Sequence, residues 1–249
     1  MATDQTAVLD QGGITVWEAW FGDKNGALAL LQFPPEMREF FLRLSDKADL
    51  PDSPPAGATW EPFVRGWREG DLYLISLTRA DGAAIRPGMV ATRMIAIPLP
   101  DIEQCERLGA FFDFLRDSDR SYAPEQTIAL KQNAAPPVTE TAVLGCVAHH
   151  LIHETKPVAI LGQERFENII TALWCRLPPE LRRTFGFGFS FTPSDLSVSR
   201  VNVVSVPISC EARWRGYQQQ CDNTWNQALS VPTATFLSCL LYTSDAADE

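Results

Sequence analysis

The stretch I-T-V-W-E-A-W-F-G-D-K-N-G-A-L-A-L-L-Q-F, residues 14–33, decides the fold class. Ile14–Phe21 is rich in β-branched and aromatic residues, a composition that favours a strand. The turn signal D-K-N-G follows at Asp23–Gly26, and Ala27–Phe33 is suited to a second strand. The stretch therefore predicts an antiparallel hairpin, so we expect the chain to begin with a β-sheet.

Further strand and helix patterns follow in the first half. Asp71–Thr78 is nearly all apolar, which predicts a strand buried on both faces. Met89–Leu99 predicts another strand, and its Pro98 suggests that the strand ends near a sheet edge. Asp101, with Gln104 three residues later, resembles the capping box of a helix.

The second half mixes the two patterns in the same way. Apolar residues at helical spacing predict one helix from Thr139 and another over Gln163–Arg176. Phe185–Phe191 alternates phenylalanine with glycine or serine, which predicts a strand with one bulky face and one bare face. We therefore predict an α+β fold: a mixed, mostly antiparallel sheet with packed helices, in two closely associated subdomains.

Changes in composition suggest where the segments of the chain begin and end. A polar, proline-broken stretch is the expected boundary between the subdomains. We assign 1–13 to a disordered N-terminus, 14–123 to an N-terminal α+β subdomain, 124–138 to a linker, 139–210 to a second α+β subdomain, 211–238 to the truncated start of a following region, and 239–249 to an artefact.

The artefact is the tail C-L-L-Y-T-S-D-A-A-D-E, Cys239–Glu249, which resembles translated sequencing-adapter (transposon-end) sequence. It predicts a truncated fragment of metagenomic origin, in which Trp214 and other apolar residues beyond Glu211 would lack packing partners. The tail holds three acidic residues and no basic one, so the net charge without it changes from −10 to −7.

Composition excludes several classes of function. The acidic balance argues against nucleic-acid binding, which needs clustered basic residues. No apolar run approaches the roughly 18 residues of a membrane span, and Met1–Gly13 does not have the pattern of a signal peptide. The cysteines before the tail are scattered, with no C-x-x-C pair, which favours free buried thiols in a reducing cytoplasm.

The most specific constellation of chemistry-bearing residues is Cys146, His149, His150 and His153. They lie at i, i+3, i+4 and i+7, on a helix face that we expect opposite the apolar stripe. Imidazole and thiolate suit zinc, and a histidine beside Cys146 could also activate a thiolate. The alternative is a solvated polar face, which we favour because one straight helix cannot direct four side chains at one ion. We therefore predict no cofactor, with zinc as the alternative.

A second candidate is the run Arg86-Pro87-Gly88-Met89-Val90 at the entry to a strand. It suits a turn in which Pro87 fixes φ and Gly88 permits a tight bend. The functional alternative is that the turn presents Arg86 to an anionic ligand or partner.

Several segments together resemble a bacterial family, the type 1 N-terminal domain of GTPase-associated protein 1. The resemblance covers most of the chain from Ile14 to about Ile208. Arg93 departs from the family pattern, which has a histidine at this position. The segments are Trp17–Leu31, Ser45–Pro51, Gly70–Thr78, Arg86–Thr92, and Trp174–Arg183 with the following Phe187–Phe191.

The resemblance implies a non-enzymatic scaffold or regulatory domain of a multidomain, cytoplasmic bacterial protein. Its expected partners are a GTPase and other domains of the same protein or operon, in a defence or conflict system. The expected interaction residues are Arg86, Gly88 and Arg93. The alternatives are a metal- or thiol-dependent hydrolase built on Cys146, His149, His150 and His153, and a purely structural domain.

Overall fold

The computed structural model describes residues 13–130, 141–153, 155–197 and 201–222. The predictions for residues 1–12, for 131–138 of the linker and for 223–249, which include the adapter-like tail, lie outside the described residues.

Ten strands of the described residues form one sheet, in the order β10-β7-β9-β8-β3-β4-β5-β1-β2, with β6 paired to β1. The strands from β1 to β6 pair antiparallel, and β8, β9, β7 and β10 pair parallel. The strands are β1 (Gly13–Lys24), β2 (Ala27–Gln32), β3 (Phe63–Glu69), β4 (Leu72–Ala80), β5 (Val90–Pro98), β6 (Glu125–Ala129), β7 (Val158–Leu161), β8 (Phe187–Phe189), β9 (Val203–Val206) and β10 (Gln220–Asp222).

Short helices cover the sheet. The helices are α1 (Arg38–Leu42), α2 (Ser45–Ala48), α3 (Leu99–Gln104), α4 (Gly109–Arg116), α5 (Thr141–His153), α6 (Phe166–Trp174) and α7 (Pro179–Arg182). Single 3₁₀ segments lie at Pro35–Met37, Pro193–Ser197 and Ile208–Trp214. The predicted α+β fold with a mixed, mostly antiparallel sheet is confirmed.

The predicted N-terminal hairpin is present. Asn25 and Gly26 connect β1 to β2 with φ angles of 58° and 83°, the combination that a two-residue hairpin turn requires. Asp23 Oδ1 accepts a hydrogen bond of 2.6 Å from the Gly26 amide, which fixes the turn. The long β1 pairs with β5 along one edge and with β6 and then β2 along the other.

The antiparallel and parallel parts of the sheet meet at one residue pair, Gly66 of β3 with Phe187 of β8. A Cβ atom at Gly66 would lie 2.3 Å from Phe187 Cε1, so only a glycine lets the ring approach β3 this closely. Beside it, Tyr73 Oη donates a 2.6 Å hydrogen bond to the Phe185 carbonyl. Burial raises the pKa of Tyr73 well above its usual value, so this hydroxyl remains a donor. One sheet thus runs through both predicted subdomains.

The core lies on both faces of this sheet. The largest cluster packs α3 to α6 against β3, β4 and β5, and a second cluster packs α1 and α2 against the other face of the antiparallel part. A third cluster lies around β8 and β9, where the rings of Phe63 and Phe189 stack with centroids 4.0 Å apart. The phenylalanines of 185–191 pack in two clusters, with Phe187 in the first and Phe189 in the third.

Two local predictions are wrong. β5 is an interior strand between β4 and β1, so Pro98 marks a strand end and not a sheet edge. Pro98 is also the residue before α3, which starts at Leu99, so Asp101 lies inside that helix and does not cap it.

Two further findings differ from the sequence expectation. Trp214 is fully buried in the third cluster and donates a hydrogen bond of 3.1 Å to the Phe191 carbonyl, so it does not lack packing partners. The stretch assigned to a linker begins with a strand, β6, that the sequence did not reveal.

Replacing Gly66 with alanine tests the joint between the two parts of the sheet. We expect Gly66→Ala to lower the free energy of unfolding by about 2–3 kcal/mol, because the new methyl overlaps Phe187 and the hydroxyl of Tyr73. Urea denaturation would measure it. The matched control is Gly82→Ala, where a Cβ meets no atom within 4 Å, and no loss is expected there. Equal effects at the two sites would contradict the close packing at Gly66.

Candidate functional site

A cavity of about 500 Å³ opens beside β3. Its walls come from α2 and the loop that follows it, from β3, from β8 and from the segment between β8 and β9. Both parts of the sheet therefore contribute to it. The lining residues are Asp46, Lys47, Leu50, Pro51, Arg65, Trp67, Arg68, Glu69, Gly70, Phe187, Asp195 and Val201.

Arg65 lines this cavity, and most of its N–H donors lack an acceptor within the part of the chain that the structure describes. Among the described residues, its hydrogen bonding consists of one contact of 3.2 Å from Nη2 to Thr78 Oγ1, while Nε is buried without an acceptor. The guanidinium also lies 5.3 Å above the ring of Phe63. A guanidinium has five N–H donors, so most of them are left for a ligand or for water.

The environment of Arg65 disfavours its charge. Burial lowers the pKa of Arg65 from 12.5 to about 10, and the nearby carboxylate of Asp49 offsets only part of this effect. Arg65 is still protonated at pH 7, so the cavity holds a cation that has lost solvent without gaining a carboxylate partner in contact. Such poorly compensated charges are concentrated at functional sites.

A chain of hydroxyl groups connects Arg65 to α2. Thr92 Oγ1 donates a hydrogen bond of 2.6 Å to the Ala48 carbonyl at the end of α2. Because that bond uses its proton, Thr92 Oγ1 must accept a hydrogen bond from Thr78 Oγ1, 2.9 Å away. Thr78 in turn accepts from Arg65 Nη2. The chain fixes α2, one wall of the cavity, to β4 and β5.

Trp67 provides a second unpaired donor beside Arg65. Its Nε1 is buried and, within the described part of the chain, has no acceptor. Trp67 and Arg65 alternate along β3 with Gly66, so both side chains lie on the same face of the strand. Both residues line the cavity, and each has one buried N–H group without an acceptor within the described residues.

Arg93, predicted as an interaction residue, lies in a different and fully bonded cluster. It is 8% exposed, and its Nη2 lies 2.8 Å from Oε1 of the fully buried Glu18. Nη1 donates to the carbonyls of Leu115, in the last turn of α4, and Asp117, the residue after that helix. The structure thus places Arg93 in the interior, where it joins β5 to β1 and to the C-terminus of α4.

The Glu18 carboxylate also accepts hydrogen bonds from two further side chains. Trp20 Nε1 donates to Oε1 and Gln126 Nε2 donates to Oε2, at 2.8 and 2.7 Å. Arg120 Nε in turn donates to Gln126 Oε1 at 2.6 Å. Gln126 lies on β6, so this network anchors that strand against β1.

Arg86, the other predicted interaction residue, is exposed. It lies against the β1–β2 turn, where a Cβ atom at Gly26 would come within 2.8 Å of its Nε. Asp23 links the two loops, because its Oδ2 accepts from the Ile85 amide while its Oδ1 accepts from the turn. Gly88, with φ of 87°, makes the bend that the sequence predicted. We call Asp23–Gly26 and Asp81–Met89 together the two-loop surface.

The predicted cysteine–histidine face of α5 is only partly described. Cys146 is 2% exposed, packs in the largest core cluster and is disulfide-bonded, so it does not lie opposite the apolar stripe. His149 and His150 are half-buried, with ring centroids 5.8 Å apart. The side chain of His153 lies outside the description. Over the ranges that the structure describes, no group of three His, Cys, Asp or Glu side chains could hold a metal ion.

The prediction of free thiols holds for three cysteines. Cys105, Cys175 and Cys210 are free, whereas the prediction is wrong at Cys146. Burial raises the pKa of Cys105 to about 11 and also raises that of Cys175, so neither thiol is activated. As to membrane insertion, no helix within the described ranges has the length and apolar content to cross a bilayer.

Comparison with known families gives one result. Residues 15–115 match the family model of GTPase-associated protein 1, N-terminal domain type 1. No curated protein matches the chain. The match to GTPase-associated protein 1 spans β1 to α4 together with the two-loop surface.

The sequence did not reveal Arg65 or Trp67. Both lie in β3, whose sequence F-V-R-G-W-R-E contains three charged residues and a glycine and was not recognised as a strand. The available signal was alternation, since Phe63, Arg65 and Trp67 share one face. The GTPase-associated protein 1 match includes β3. Three residues that line the cavity, Phe187, Asp195 and Val201, lie beyond the matched segment.

Removing the charge of Arg65 should stabilise the protein. The lowered pKa of Arg65 corresponds to a cost of roughly 3 kcal/mol at neutral pH, and the bond to Thr78 returns about 1 kcal/mol. We expect Arg65→Met to raise the free energy of unfolding by about 1–2 kcal/mol, which thermal denaturation measures. The gain should be constant from pH 6 to 9 and should shrink as the pH rises through about 10, where folded wild type loses the proton. The control is Arg68→Met, on the exposed rim of the cavity. A lower free energy of unfolding for Arg65→Met than for wild type would contradict this prediction.

Removing the charge of Glu18 should have the opposite effect. Glu18→Gln leaves the buried Arg93 guanidinium without a counter-charge, so we expect a loss of about 3–5 kcal/mol in the free energy of unfolding. The control is Glu125→Gln, the same change at an exposed position of the neighbouring β6. A loss below 1 kcal/mol in urea denaturation would show that the ion pair does not hold this part of the sheet.

Proposed function

We propose that this chain is a non-enzymatic scaffold or regulatory N-terminal domain of a multidomain bacterial protein that acts with a GTPase. The carrying observation is the match of residues 15–115 to GTPase-associated protein 1. We further propose a cytoplasmic setting, in a defence or conflict system, with the GTPase and other domains of the same protein or operon as partners.

The two-loop surface is the contact site that we propose for the GTPase. Ile85 is 76% exposed, the highest value among the exposed large apolar side chains of the described residues, and Arg86 is exposed beside it. An apolar anchor next to an arginine is a frequent composition of the residues that dominate binding energy. Asp23 holds the two loops together before binding, which lowers the entropy lost when a partner docks.

The hydrolase alternative on α5 has less support. A thiol-dependent reaction needs a thiolate, and the Cys146 sulfur is engaged in a disulfide inside the core. Metal analysis of the purified protein, with the variant His149→Ala and His153→Ala, tests the metal-dependent version directly.

Complex formation tests the proposed function. The full-length protein and the GTPase encoded beside its gene should elute together in size-exclusion chromatography in the GTP-bound or the GDP-bound state. We expect Ile85→Asp with Arg86→Ala to weaken the complex at least about tenfold, since both anchors are lost. Arg213→Ala, an exposed arginine of the 3₁₀ segment after β9, should bind like wild type. Clean separation in both nucleotide states would contradict the proposal.

The same partners reveal whether Arg86 acts on GTP hydrolysis. An arginine supplied in trans stabilises the charge that develops on the phosphates, and its loss lowers the rate by about 10³-fold or more. Single-turnover hydrolysis with wild type and with Arg86→Ala measures this effect. Equal rates would limit Arg86 to binding and would leave the scaffold role intact.

A further inference from the structure

We propose that the cavity beside Arg65 binds a small organic anion, with a single carboxylate on an apolar body. The proposal concerns a site distinct from the two-loop surface and does not depend on the GTPase. It rests on three features of the cavity: the incompletely bonded guanidinium of Arg65, the balance of charge on its walls, and the apolar residues that complete it.

The guanidinium of Arg65 defines the head of the ligand. Arg65 lines the cavity and makes its hydrogen bond to Thr78 through Nη2, and within the described residues Nη1 has no acceptor. A carboxylate matches the planar fork of a guanidinium with two parallel hydrogen bonds, so it is the group that this guanidinium recognises best.

The charges on the walls limit the ligand to one negative group. Three cations and three carboxylates line the cavity, and the carboxylate of Asp49 also acts on Arg65, so the surroundings carry no excess of positive charge. A polyphosphate would require an excess of positive charge that these walls do not supply. A monoanion needs only Arg65. The cations are Lys47, Arg65 and Arg68, and the carboxylates are Asp46, Glu69 and Asp195.

Two of the carboxylates are already committed elsewhere and leave Arg65 available. Glu69 pairs with Lys47 at the rim. Asp195 accepts hydrogen bonds from the amides of Phe191 and Thr192, both at 3.0 Å, and from the hydroxyls of Ser190 and Thr192. Neither contacts the guanidinium in the structure. An incoming carboxylate therefore does not have to displace an internal ion pair.

The remaining walls suit an apolar body. Leu50 and Pro51 follow α2, Phe187 closes one end from β8, and Val201 lies on the segment before β9. The volume of about 500 Å³ is within the range of pockets for small molecules. Burying the apolar part of a ligand here excludes water and strengthens the bond to Arg65.

Phenylacetate is a suitable probe, with phenylacetamide as its uncharged counterpart. For the wild-type chain at pH 7, ligand-observed NMR should give a Kd on the order of 1 mM for phenylacetate and at least tenfold weaker binding for phenylacetamide. Equal binding of the two probes would overturn the proposal. This comparison uses wild-type protein, so it does not depend on whether a variant folds.

Variants then locate the site. Arg65→Gln should weaken phenylacetate binding about tenfold or more, and Arg68→Gln, on the exposed rim of the same cavity, should change it less than about twofold. Equal losses in both variants would indicate general attraction to positive charge and would overturn the assignment to Arg65. Inorganic phosphate should bind more weakly than phenylacetate, because it gains nothing from the apolar walls. Equally tight phosphate would overturn the organic nature of the ligand.

Discussion

The contact between Gly66 and the ring of Phe187 is the constraint on which the rest of the structure depends. It is the residue pair through which β3 and β8 join the antiparallel and parallel parts into one sheet. A single ladder position would be a weak connection by itself, but the close packing of the ring and the hydrogen bond from Tyr73 to the Phe185 carbonyl make it a buried joint. The joint also places Phe187 in the wall of the cavity. The same packing thus completes the sheet and forms the site.

Two arginines differ in how the protein compensates their charge. Arg93 contacts the Glu18 carboxylate, two backbone carbonyls and the ring of Trp20 at 4.9 Å, so its charge is balanced within the protein. Arg65 has a threonine hydroxyl and the ring of Phe63. A desolvated charge normally persists only when it is paired, because the cost of burial is otherwise uncompensated. The contrast identifies Arg93 as structural and Arg65 as the group with unmet capacity for a ligand.

Sequence reasoning succeeded where one local pattern dictates structure. The N-G turn requires two positive φ angles, and the apolar run at Asp71–Thr78 suits an interior strand, so the hairpin and β4 followed directly. It failed where pairing is decided at long range. β3 carries charged residues because one of its faces borders a cavity, and β6 is a short polar strand held by the Glu18–Gln126 network. Neither cause can be inferred from the few residues of the strand and its immediate neighbours in the sequence. The exposure of Arg86 beside its turn could be anticipated from Pro87 and Gly88, whereas the burial of Arg93 could not.

The unit that carries the site is larger than the segment that matches GTPase-associated protein 1. The match ends at residue 115, before β6, which covers the first half of β1, and before β8, which covers the free edge of β3. Cutting the chain there would expose both strands and remove Phe187, Asp195 and Val201 from the cavity. The two-loop surface, in contrast, is built wholly from residues inside the match. The proposed partner contact and the cavity therefore have different sequence requirements: the first needs only the matched segment, and the second needs the joint at Gly66 and what lies beyond it.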